Sequence, residues 1–84
     1  MYKEEQLMKT VQISLNSIDK VKSFVNAITQ FDFDFDLISG RYVIDAKSIM
    51  GIFSLDLSKP IDLAIHSEEN LDEIMEVIKP YLVD

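Results

Sequence analysis

Apolar and polar residues repeat with two different periods along this chain, and each change of period marks a new element. Val11-Gln12-Ile13-Ser14-Leu15 alternates strictly, the pattern of a strand with one buried face. Asn16 and Ser17 then offer helix-capping side chains, and Asp19 suits the positive end of a helix dipole. Ile18, Val21, Val25 and Ile28 follow at helical spacing, so a first helix is predicted from Ile18 to Thr29, with Phe24 widening its buried stripe. The run from Phe31 to Leu37 is the clearest strand: Phe31, Phe33, Phe35 and Leu37 fall on one face, which is expected to join the core, and Asp32, Asp34 and Asp36 on the other. Ser39-Gly40 is a turn signal and Arg41 to Asp45 returns as a third strand, so the pair reads as a hairpin.

Ser48 is a good helix cap, and a short helix is predicted from it to about Leu55. Ile49, Ile52, Phe53 and Leu55 occupy more of that helix than one core-facing stripe requires, so some of them must face water. Asp56 to Pro60 is a loop, and Ile61 to His66 alternates again as a fourth strand that Pro60 can precede but not enter. Ser67, with Glu68 and Glu69 after it, is predicted to cap a third helix whose stripe is Leu71, Ile74, Met75, Ile78 and Leu82. Pro80 should end its regular part near Lys79. The order is β-α-β-β-α-β-α. Every strand has one apolar face, so the sheet is covered on one side only, by three amphipathic helices: an open-faced α/β (α+β) sandwich.

Composition narrows the function classes. Eighty-four residues are expected to form a single domain, residues 1–84, of which 1–8 are a polar tail. A chain near this size buries only roughly 60% of its unfolded surface. With no cysteine, neither a disulfide nor a thiolate metal site supports it. A net charge of −7 argues against nucleic acid and against membrane surfaces, because both recruit cations. No apolar run approaches the roughly 20 residues of a membrane span, and the first residues lack an apolar leader, so a cytoplasmic location is expected. No cofactor or metal is implied, and the oligomeric state is left open.

The run Lys47-Ser48-Ile49-Met50-Gly51, with Ser54-Leu55 after it, resembles the regulatory-serine segment of HPr, the histidine-containing phosphocarrier of the sugar phosphotransferase system. Length and element order agree with that family over nearly the whole chain. The resemblance implies an HPr-like antiparallel sheet with spatial order 1-4-2-3. It also implies that Ser48 is a candidate for regulatory phosphorylation by a dedicated kinase, and that Ile49, Met50 and Phe53 match the family's exposed docking positions.

The phosphoryl-accepting motif of the family, Gly-x-His-Ala-Arg-Pro at the start of the first helix, has no counterpart in Leu15-Asn16-Ser17-Ile18-Asp19-Lys20. Counting back from Ser48 places the histidine position near Ser17 and the arginine position near Asp19, and no small shift finds a histidine. An aspartate there would repel a phosphoryl group, and transfer to Ser17 would give a stable ester that cannot act in a relay. His66, the sole histidine, follows the far end of the fourth strand, where an exposed or capping side chain is expected. Asp32, Asp34 and Asp36 lie roughly 6.5 to 7 Å apart along a strand, too far to share one ion tightly, so a solvated face is expected, with a weak cation site or a basic partner as the alternative. The function that results is a non-enzymatic HPr-like binding or regulatory module. Its protein partners would be a phosphotransferase-system enzyme, a kinase or a regulator. A phosphocarrier with an unusual acceptor and a structural or assembly domain unrelated to sugar uptake are the alternatives.

Overall fold

A computed structural model describes residues 9–67 and 69–83; residues 1–8, expected as a polar tail, Glu68 and Asp84 lie outside the described residues. The strands are β1 (Lys9–Ile13), β2 (Asp34–Ser39), β3 (Tyr42–Asp45) and β4 (Ile61–His66). The helices are α1 (Ile18–Ile28), α2 (Ile49–Ile52) and α3 (Leu71–Ile78), the last followed by a 3₁₀ turn at Lys79–Tyr81. All pairings are antiparallel and the spatial order is β1-β4-β2-β3, as the resemblance implied. β4 occupies the centre, with Ile13 opposite Ile61 on one side and Leu37 opposite Leu63 on the other.

The core lies between one sheet face and the helices. Ile13, Phe35, Leu37, Ile61, Leu63 and Ile65 come from the strands and meet Val21, Phe24, Val25 and Ile28 of α1, Ile52 of α2, and Ile74 and Ile78 of α3. Ser17 caps α1, its Oγ accepting from the Lys20 N–H at 3.1 Å. Ile18, expected on the buried stripe, is instead 61% exposed, because the first residue of the helix projects past the sheet's edge of the core.

Four other expectations are corrected. β1 lies two residues earlier than the alternation suggested. Leu15 is still buried, but Ser14 N–H donates to the Tyr81 carbonyl (2.8 Å) and so leaves the ladder with β4. β2 begins only at Asp34, since Phe31 N–H donates to the Ile28 carbonyl (3.1 Å) and continues the turn that ends α1. Phe31 is buried there, whereas Phe33 is only half-buried against the core. α2 is α-helical for four residues rather than to Leu55. Ser54 Oγ donates to the Gly51 carbonyl (2.6 Å), and Ser54 and Leu55 make i→i−3 backbone bonds that tighten the chain. Ser67 does not cap α3. Its Oγ accepts from the Glu69 N–H (3.0 Å) and closes a turn, after which Asn70 takes the left-handed conformation (φ 57°) and starts the helix without a side-chain cap.

The C-terminal segment is tied down on both sides. Tyr81 packs edge-on against Phe24, with ring centroids 5.4 Å apart, and its hydroxyl is 2.6 Å from Ser23 Oγ. Leu82, expected on the stripe of the third helix, lies beyond it and bridges to Ile13, while Val83 N–H donates to the Gln12 carbonyl at 3.0 Å. Lys47 holds the turn before β2: its ammonium donates to the Phe31 carbonyl (2.7 Å) and lies 5.6 Å from the Phe35 ring centroid.

Two outcomes follow for stability. Phe35→Ala is expected to cost about 3 to 5 kcal/mol and Phe33→Ala clearly less, with Asp34→Ala within about 0.5 kcal/mol of wild type. Urea unfolding midpoints measure all three, and equal losses at the two phenylalanines would contradict the assignment of faces. Tyr81→Phe, which removes only the hydroxyl bonded to Ser23, is expected to cost about 1 kcal/mol in the same assay.

Candidate functional site

The N-terminus of α1 and the segment around α2 meet at one end of the molecule. Asn16, Ser17, Ile18, Phe53, Leu57 and Ser58 line an open groove of about 510 Å³ there. The groove brings the region corresponding to the family's phospho-acceptor together with one of the three predicted docking residues. No lysine, arginine or histidine lines it.

Ser17, near the acceptor position that the resemblance implies, has an extended backbone (φ −150°, ψ 157°), and its oxygen is occupied by the Lys20 amide. Asp19 is exposed in the first turn of α1. In the loop that contributes Leu57 and Ser58, the Asp56 carboxyl is held below its ordinary value of 3.8, first by the Ser58 hydroxyl and then by the Ser58 backbone N–H. Asp56 is therefore ionised at neutral pH, with the Lys59 cation near it in the same loop.

Ser48 caps α2, its Oγ accepting from the Gly51 N–H at 3.1 Å. Glycine at 51 keeps this cap in place: a Cβ there would sit 3.2 Å from Ser48 Oγ and 3.4 Å from Ile44 Cδ1. Ile52 is fully buried, while Met50 is 81% exposed and Ile49 and Phe53 are exposed as well. Ile49 and Phe53 stand one turn apart, joined by the Phe53 N–H to Ile49 carbonyl bond (3.1 Å). Ile18 and Leu57 extend the apolar surface across the groove. Reading the sequence placed Ile18 in the core and gave Leu57 no role. An excess of apolar residues near the cap was the available signal for the first, and a loop with no period offered none for the second.

His66 lies elsewhere. β1 and β4 are antiparallel, so His66 sits beyond the Lys9 end of β1, roughly 16 Å along the strands from the end that leads to Ser17. Its Nε2–H donates to Asp36 Oδ2 at 2.7 Å on the open face, two residues diagonal to its partner Asp34. His66 is exposed, as expected, and in addition makes a specific cross-strand pair. Asp36 also stands opposite Asp45 of β3. Asp32, preceding β2, does not join this row. Among the described residues no three His, Asp or Glu side chains are arranged to hold a metal ion.

No protein-family model matches the chain, and a search of curated proteins finds no match. Among solved structures it is similar to the crystal structure of a phosphocarrier protein HPr from Bacillus anthracis str. Ames, with a TM-score of 0.66 and 26% sequence identity, over 90% of this chain and 95% of that one. The four-stranded antiparallel sheet of order 1-4-2-3 with its three helices is an HPr-like fold.

Proposed function

We propose that this chain is a binding or regulatory module of the phosphoenolpyruvate-dependent sugar phosphotransferase system that does not itself carry phosphoryl groups. The observation that carries this reading is the exposure of Ile49, Met50 and Phe53 on α2, with Phe53 and Ile18 lining a groove beside Ser17, on an HPr-like fold. A phosphoryl group is stabilised by cations and free amides. Here Ser17 already uses the first-turn amide of Lys20, Asp19 adds a negative charge, and the groove lining has no cation. The only histidine is engaged with Asp36 at the other end of β4. The apolar surface, by contrast, has the adaptable methionine and adjacent aromatic and aliphatic groups that protein interfaces favour.

Ser48 is the regulatory element in this reading. A phosphate on its Oγ would sit at the positive end of α2 and add charge beside the apolar surface. The module works in the cytoplasm; no helix of the described residues is long and apolar enough to cross a membrane. Its partners are an enzyme, kinase or regulator of the same system, and it needs no cofactor and performs no catalysis.

Incubation with phosphoenolpyruvate and the first enzyme of the system is expected to leave the chain without acid-labile phosphate. Stoichiometric labile phosphate, lost in His66→Ala, would overturn the non-carrier reading. The double substitution Ile49→Glu with Phe53→Glu is expected to weaken binding to that enzyme or to the serine kinase by about thirtyfold or more, with little loss of fold. Calorimetric titration measures the affinity and circular dichroism the fold. Unchanged affinity would remove α2 from the interface, and unfolding would show that these side chains belong to the core. Ser48→Asp is expected to change the same affinity, although a carboxylate carries less charge than a phosphate.

A further inference from the structure

Strand β3 ends the sheet, and no described strand meets its outer side. The hairpin register fixes which of its backbone groups are free. Ser39 and Tyr42 close a two-residue turn in which Gly40 has φ +63°, and Leu37 stands opposite Ile44. Ala46 N–H donates to the Phe35 carbonyl at 2.9 Å. Residues 42, 44 and 46 therefore carry the bonds to β2, and the alternation of an antiparallel ladder turns the intervening residues outward. Val43 presents both N–H and C=O at the edge. Asp45 presents its N–H only, since its carbonyl accepts from Ser48 N–H at 3.0 Å.

Sheet edges are ordinarily shielded by lysine, proline, a bulge or a covering segment. The opposite edge of this sheet is protected in that way: Lys9 stands in β1, and the segment at Leu82 and Val83 lies along its end. β3 has only its shortness, four residues, and the charge of Asp45; no lysine, proline or described covering strand lies on it. Tyr42 and Val43 are 66% and 61% exposed on it.

We propose that β3 pairs antiparallel with β3 of a second copy of this chain, about a two-fold axis at Val43. Outward residues can bond only to outward residues, and a two-fold axis at Val43 meets that condition with Val43 opposite Val43. The same register brings Arg41, the turn residue next to β3, beside Asp45 of the other copy in both directions. Arg41 lies at the hairpin end of the sheet, in a groove with Ile38 and Asp62 on one side and Ser54 and Asp56 on the other, and it makes no ion pair with a described residue. Asp45 uses Oδ1 to accept from the Lys47 N–H (2.9 Å), which leaves Oδ2 for the partner. On the helix side Tyr42 meets Ile44. An apolar pair flanked by two opposite-charge pairs is thus self-complementary. Sliding the register by two residues one way sets Val43 against Arg41; the other way sets Arg41 against Lys47. Neither matches. The net charge of −7 on each chain opposes association, so the dimer forms at high concentration and responds to charge at this edge.

Sedimentation equilibrium from micromolar to millimolar protein tests this. A monomer–dimer equilibrium is expected in wild type. Val43→Lys, which sets two cations on the axis, should raise its midpoint by about tenfold or more, as should Arg41→Asp. An equal mixture of Arg41→Asp and Asp45→Arg chains should associate as wild type does, because each then meets the opposite charge in both pairs. A chain that stays monomeric over the whole range overturns the proposal. So does a dimer indifferent to Val43→Lys, or one that the mixture fails to restore while circular dichroism shows both variants folded. If Asp45→Arg does not fold, Val43→Lys and Arg41→Asp decide the matter by themselves.

Discussion

Strand β4 lies between β1 and β2, so Ile61, Leu63 and Ile65 can leave water only if helices cover that one face of the sheet. Each such side chain contributes about 1.5 to 3 kcal/mol when buried, and in so small a chain the loss of a few would exceed the net stability. That requirement aligns the stripes of α1 and α3 over the sheet and pins α2 by Ile52 alone. With one buried anchor in a four-residue helix, Ile49, Met50 and Phe53 are left outward. The exposed surface beside Ser17 is therefore a consequence of how little of α2 the core needs. The opposite face of the sheet can stay open because it is polar, and Ala64, its small central residue, is buried between Thr10 and Asp36.

Much of this architecture was legible in the alternation of apolar residues, since burial on one face imposes a period of two on strands and 3.6 on helices. β4 and the hairpin of β2 with β3 follow directly from it. The period failed where apolar residues continued while the backbone did not. Phe31 and Phe33 keep the alternation of Phe35 and Leu37, yet the Phe31 amide belongs to the turn that ends α1, and the Lys47 ammonium takes the Phe31 carbonyl. Ser67 failed differently. A serine before acidic residues reads as a helix cap, but its hydroxyl can close a two-residue turn equally well, and here it does.

The site was legible to the extent that it rests on local chemistry. Ser17 and Ser48 cap their helices through an amide three residues ahead, which a sequence reports directly. The bond between His66 and Asp36 depends on the register between β4 and β2, elements thirty residues apart, and no local pattern encodes it. Leu57 reaches the groove from a loop, and Ile18 turns outward because the helix starts where the sheet's cover ends. Those two residues double the walls of a surface that the sequence had assigned to α2 alone.

The separation of apolar surface from charge bears on how a partner would be recognised. The groove lining is uncharged, while Asp19 and the ionised Asp56 are next in sequence to the lining residues Ile18 and Leu57. Marginal charges of this kind are largely solvated. They act on the rate and orientation of encounter more than on the strength of the final complex. Affinity at such a surface has to come from the apolar groups that lose water, Phe53 and Ile18 before the others, because both are exposed and line the groove. A partner with an apolar projection ringed by basic residues satisfies both conditions, and a phosphate on Ser48 would strengthen the second without altering the first.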